Sequence, residues 1–219
     1  MSAPLLNDEL NASQIEIITA AAKCFMQRGY ENTTITEIAE ELGCTKGRVY
    51  HYFRSKSAIF FAVYRQAMTY CFAAAEPVVE LPLPAVERLA RLCEAHALVM
   101  IDTLSFQRGI KQGLEIYMRG ATTDAERVAF QEMLTLRDKY EALFRQVLSD
   151  GAADGTLNVD DVPLAGRTIL SALNGLPDWY RERPGGEAPA VIARKNADYI
   201  ISGFKARTDG AQARAGRAV

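Results

Sequence analysis

Only one residue, Cys44, separates Gly43 from Thr45, and that spacing restricts the fold more than any other feature of the chain. Gly43 follows an apolar stripe at helical spacing, Ile35, Ile38, Ala39 and Leu42, and glycine supplies the left-handed stop of a helix. Thr45 is a hydroxyl residue able to cap a new helix at once. Upstream, Thr34-Ile35-Thr36-Glu37 reads as a capping box, in which Thr34 accepts from a first-turn amide and Glu37 reaches back to the cap. Before it, Ile15, Ile18, Ala22 and Phe25 mark one face of another helix, which stops at Gly29. Three short helices with a tight glycine turn between the second and third predict a helix-turn-helix. Ser55 then caps a long fourth helix that continues through Phe60, Phe61, Val63, Tyr64 and Met68.

Further along, Pro77, Pro82 and Pro84 break the chain around 76–84, where a small domain meets a larger one. Helical patterns follow at roughly 85–104, 106–119, 124–149, 160–181 and 188–206. They are separated by Gly120, by Asp150-Gly151 to Asp154-Gly155 and by Pro184-Gly185-Gly186. No stretch has strand character and no repeat of fixed period occurs. The fold class is therefore all-α, and the last dozen residues, rich in Ala, Gly and Arg, read as disordered.

A net charge of −2 over 219 residues excludes a globally basic nucleic-acid coat but allows a local basic patch. The four cysteines, Cys24, Cys44, Cys71 and Cys93, show no C-x-x-C spacing, so they offer no zinc pattern and suit a reducing compartment. With no basic-then-apolar leader and no apolar run near the length of a membrane span, the expected location is the cytoplasm.

The stretch "ELGCTKGRVYHYFRSK", Glu41 to Lys56, concentrates basic and aromatic residues with no acid after Glu41. Val49 and Phe53, four apart, anchor its helix to a core. Thr45 and the first free amides can take a phosphate. Gly47, lacking a side chain, allows close approach to a groove floor, and Lys46 and Arg48 can reach guanine edges or phosphates. Tyr50, His51 and Lys56 suit backbone clamps, which set register without reading sequence. With Thr34 at the preceding helix start, these residues form the candidate DNA-contacting set. The competing reading is the solvated face of a short helix, to which charge runs commonly belong.

The segment "TTITEIAEELGCTKGRVYHYFRSKSAIF" resembles the N-terminal domain of the TetR/AcrR family of bacterial transcriptional regulators, over about residues 13–60. Cys44 stands where that family more often has Val or Ile, and Arg48 where a small or β-branched residue is common. Arg48 then gives either an additional DNA contact or a side chain pointing to solvent. The resemblance implies a DNA-binding domain over 1–56, a helical ligand-binding and dimerisation domain over 57–207 and a tail over 208–219. It further implies a homodimer on a palindromic operator, with recognition helices about 34–36 Å apart or modestly more. Repression relieved by a small-molecule effector is the expected mode, and the effector must favour the conformer that does not bind DNA.

In the larger part, Met100, Phe106, Tyr117, Met118, Phe130 and Met133 are large or adaptable residues suited to line an apolar cavity, or else ordinary core. His96 is either a donor to a ligand carbonyl or a structural histidine. "NGLPDWYRERPGG", Asn174 to Gly186, is similar to a segment of TetR-family repressors that sense acyl-CoA thioesters in fatty-acid and steroid breakdown. That similarity implies that Trp179 and Tyr180 pack against the ligand, with Arg181 or Arg183 pairing with its phosphates. The alternative is a Trp/Tyr anchor at a subunit interface. Leu164, Thr168, Ile169 and Leu173, then Ile192, Tyr199, Ile200 and Phe204, supply apolar faces for a four-helix dimer interface, rimmed by Arg194, Lys195 and Asp198.

With only two histidines, one of them inside the basic element, a nucleophile–base set is hard to assemble. No phosphate-binding glycine loop or metal-binding His motif occurs, so neither catalysis nor a cofactor or metal is expected. A helical enzyme, or an interaction adaptor without sequence-specific DNA binding, is the alternative reading.

Overall fold

The structure, a computed structural model, describes residues 10–120 and 123–205. Among the described residues run ten helices: α1 (Ala12–Arg28), α2 (Ile35–Glu41), α3 (Lys46–Tyr52), α4 (Lys56–Val79), α5 (Ala85–Asp102), α6 (Leu104–Arg119), α7 (Asp124–Asp154), α8 (Val162–Asn174), α9 (Leu176–Trp179) and α10 (Pro189–Ser202). The β geometry among these residues is one isolated bridge, Leu157 to Lys205. The all-α expectation holds, while the tail expected over 208–219 lies outside the described residues.

The expected breaks around 76–84 and 150–155 are present, but each begins later than its first signal. Pro77 does not end α4, which runs on to Val79. A proline removes one N–H and crowds the preceding turn, and here two residues follow it, so the disruption falls on the final turn. Gly151 does not end α7, which continues to Asp154. A Cβ at Gly151 would come within 2.3 Å of Leu157 Cδ1, so this glycine makes room for a buried leucine.

The chain divides into two compact units. The first comprises the described residues up to Ala73, Val99–Tyr140 and Pro177–Tyr180. Its core holds Ile17, Ile18, Phe25, Ile38, Val49, Ile59 and Phe60. Ile15, placed on the same apolar stripe in the sequence, is exposed. α1 packs on α6, and the approach is close because α6 presents glycine there. A Cβ at Gly109 would lie 3.0 Å from Phe25 Cβ and 3.2 Å from the Ala22 carbonyl oxygen. One turn on, a Cβ at Gly113 would lie 2.3 Å from Phe60 Cε2. An aromatic cluster fills the space beside these glycines, with Phe60 and Tyr117 stacked at 5.2 Å and Tyr30 edge-on to Phe60 at 5.1 Å.

The second unit comprises Ala74–Leu98, Glu141–Leu176 and the described residues from Arg181 on. Leu89, Leu92, Phe144, Val147, Leu148, Ile169, Leu173 and Ala193 form its interior. Arg88 ties it together, donating to the Val79 carbonyl at 3.0 Å and to Asp150 at 2.8 Å.

Candidate nucleic-acid interface

The interface is built from caps outward. Thr34 Oγ1 accepts from the Glu37 amide at 3.2 Å, and the Thr34 amide donates to Glu37 Oε2 at 2.7 Å, which closes the capping box. The Thr34 backbone and hydroxyl bonds, with Arg28 beside it, hold the Glu37 carboxyl below the usual carboxylate range. Gly43 adopts φ 65°, the left-handed conformation that glycine takes without strain, and its amide donates to the Glu40 carbonyl. Thr45 then accepts from the Arg48 amide at 3.3 Å and opens α3. Every local feature that defines this turn was visible in the residues.

Val49 and Phe53 are both buried and seat α3 on the first unit. At roughly 100° per residue, Gly47 and His51 lie opposite Val49, with Tyr50 and Arg48 on the two flanks. Thr34, Thr45, Lys46, Gly47, Arg48, Tyr50 and His51 are all exposed, whereas Lys56 is half-buried. The Lys46 ammonium sits 5.6 Å from the centre of the Tyr50 ring, and His51 stands edge-on to Tyr52 at 4.9 Å.

Two basic residues have structural attachments that the sequence did not announce. Lys56 Nζ donates to the carbonyls of Tyr30 at 2.7 Å and Glu31 at 3.0 Å and lies 4.6 Å from the Tyr30 ring centre. Burial keeps its ammonium below the ordinary lysine range. Arg48 Nη2 donates to Glu16 Oε2 at 2.8 Å and to Ser13 Oγ at 3.4 Å, both on α1. Arg54, to which the sequence reading gave no role, is an exposed cation immediately after Phe53.

The residues proposed for a ligand are dispersed by comparison. Met100, Phe106, Tyr117 and Met133 are buried in the first unit, Phe130 is half-buried and Met118 is exposed. Tyr117 spends its hydroxyl on Tyr30 at 2.5 Å. His96 is buried in the second unit, where its Nε2 meets Asn174 Oδ1 at 3.0 Å and Phe144 stands edge-on. Burial drives its pKa down to about 4, so the imidazole is neutral near pH 7. Tyr180 is buried and Trp179 exposed, and both belong to the first unit. Arg181 and Arg183 are exposed in the second. The Trp179 turn is held to α6 from two sides. Arg108 donates to the carbonyls of Pro177 at 2.8 Å and Tyr180 at 2.6 Å. Lys111 grips both oxygens of Asp178 at 2.6–2.7 Å. No sequence signal pairs residues so far apart. Among the described residues, no helix is long and apolar enough to cross a membrane.

Comparison with known proteins agrees with this geometry. Residues 17–63 match the pattern described as bacterial regulatory proteins, tetR family, and residues 82–204 match the tetracyclin repressor-like C-terminal domain. The HTH-type transcriptional repressor KstR2 of Mycolicibacterium smegmatis is 27% identical over 196 residues, covering 89% of this chain and 91% of that protein. The structure of the TetR family transcriptional regulator PfmR from Thermus thermophilus is 31% identical with a TM-score of 0.73, covering 88% of this chain and 97% of that one. The fold is also shared, at 20% identity and a TM-score of 0.70, with AibR in complex with isovaleryl coenzyme A and operator DNA, over 88% of this chain and 98% of that one.

Proposed function

The chain belongs to the tetR family of bacterial regulatory proteins and is a DNA-binding transcriptional regulator, and on that premise we propose that it is a repressor released from a palindromic operator by a coenzyme A thioester. The observation that carries the DNA-binding part is the exposed face of α3. Gly47 and His51 look away from a core seated by Val49 and Phe53, and Lys46 and Tyr50 lie alongside. In this reading Lys46 and Tyr50 take phosphates or base edges, Gly47 permits close approach, and Thr34, Thr45 and His51 bind the backbone.

The effector class is supported by the isovaleryl coenzyme A held by AibR, a neighbour in fold. Trp179, in the first unit, offers an exposed aromatic face for such a ligand. In the second unit, Leu164, Val191 and Tyr199 leave an apolar surface on α8 and α10, which we read as the contact between two copies. A regulator of this kind works in the cytoplasm and needs no catalytic centre.

The test is a titration of the protein on DNA flanking its own gene, repeated across salt concentrations and with a panel of acyl-CoAs. Salt-sensitive binding that a thioester weakens is expected, and Lys46→Met should flatten the salt slope by about 0.9. Binding that ignores salt overturns the DNA reading. Release by an apolar ligand but by no acyl-CoA overturns the effector class.

A further inference from the structure

Arg48 lies on the flank of the DNA-facing surface, yet its guanidinium is turned back onto α1. Both contacts to α1 use the same nitrogen, Nη2. That detail matters because a guanidinium has two edges able to make paired hydrogen bonds, Nε–Nη2 and Nη1–Nη2. Nη2 belongs to both. With Nη2 donating to Glu16 at 2.8 Å and to Ser13 at 3.4 Å, Arg48 has no complete fork left for the O6 and N7 of guanine in this arrangement. A phosphate contact meets a second obstacle. Releasing Arg48 would leave the Glu16 carboxylate unpaired beside a polyanion, so one attraction would be gained as one repulsion was created.

We propose that Glu16 is a positioning residue that holds Arg48 on α1 and withholds its charge from DNA. Recognition by α3 then falls to Lys46, Gly47, Tyr50 and His51. Arg48 acts as a tie between the recognition helix and α1, supplementing the apolar seat of Val49. The inference rests on the DNA-binding reading above.

The experiment compares wild type, Arg48→Met, Glu16→Ala and the double variant by measuring DNA affinity against salt. The full chain is used, on DNA flanking its own gene and on an unrelated duplex of equal length. Arg48→Met should leave the salt slope unchanged. Glu16→Ala should steepen it by about 0.9, the signature of one added phosphate contact, and tighten binding several-fold at low salt. The double variant should return to the wild-type slope. A flatter slope in Arg48→Met means that Arg48 already contacts phosphate and overturns the inference. So does an unchanged Glu16→Ala. An equal gain from Glu16→Ala in the Arg48→Met background also overturns it, because simple removal of a negative charge would then suffice. If wild type shows no salt-dependent affinity for either duplex, the DNA-binding reading itself falls and takes this one with it. Both side chains are exposed, so thermal melts of all four proteins should coincide within a few degrees.

Discussion

The phenolic hydroxyls of Tyr30 and Tyr117 meet at 2.5 Å inside the unit that carries the DNA-binding helices, joining the loop after α1 to the end of α6. Burial raises the pKa of both phenols, so the shared hydrogen bond is between neutral groups. Tyr117→Phe strands the buried Tyr30 hydroxyl and should cost about 1–2 kcal/mol in urea unfolding. Tyr30→Phe strands the Tyr117 hydroxyl in turn and should cost a similar amount. The double variant should cost less than the two singles added together.

His96 predicts a loss of stability in acid. Its pKa is about 4 in the folded chain against an ordinary 6.5, so the unfolded chain binds the proton first as pH falls. The stabilisation is complete above pH 6.5 and is lost progressively between pH 6.5 and about 4, to a total of about 3 kcal/mol at 1.36 kcal/mol per unit. His96→Gln should flatten that limb of the stability–pH curve. A wild-type curve that is level across this window would contradict a neutral buried imidazole.

Gly113 predicts an overpacking defect. The methyl of Gly113→Ala would collide with the ring of Phe60, which is fully buried and stacked on Tyr117 and so has little room to yield. A loss of about 1–3 kcal/mol is expected. Adding Phe60→Leu should recover part of it, measured as a smaller cost of Gly113→Ala in the Phe60→Leu background than in the wild type.

Lys46 and Lys56 should separate cleanly although both lie in one basic stretch. Lys46 is exposed, so Lys46→Met should change the salt slope of DNA binding and leave stability within about 0.5 kcal/mol. Lys56 bonds two carbonyls after α1, so Lys56→Met should lower stability by about 1–2 kcal/mol. Denaturant melts and salt titrations on the same two variants decide the matter.

What could be read from the residues alone was whatever is decided within one helical turn. The capping box of Thr34 and Glu37, the left-handed Gly43, the Thr45 cap and the Ser55 cap each involve partners three or fewer residues apart, or none. Val49 and Phe53 were legible because burial on a helix has a period. The remainder depends on chain segments that only folding brings together. Glu16 reaches Arg48 across 32 positions, Tyr30 reaches Tyr117 across 87, and Arg108 reaches Tyr180 across 72. Gly151 shows the same limit from another side: its sequence context reads as a stop, and only the position of Leu157 reveals why the helix continues.

The short segment Pro177–Tyr180 sits within the first unit although the residues on either side of it belong to the second. Arg108 and Lys111 fix its backbone and Asp178 to α6, and the only tryptophan of the protein stands in its middle, more than half exposed. All indole emission from this molecule therefore originates in one clamped turn. The protein comes with its own optical probe, already mounted on α6 and needing no label.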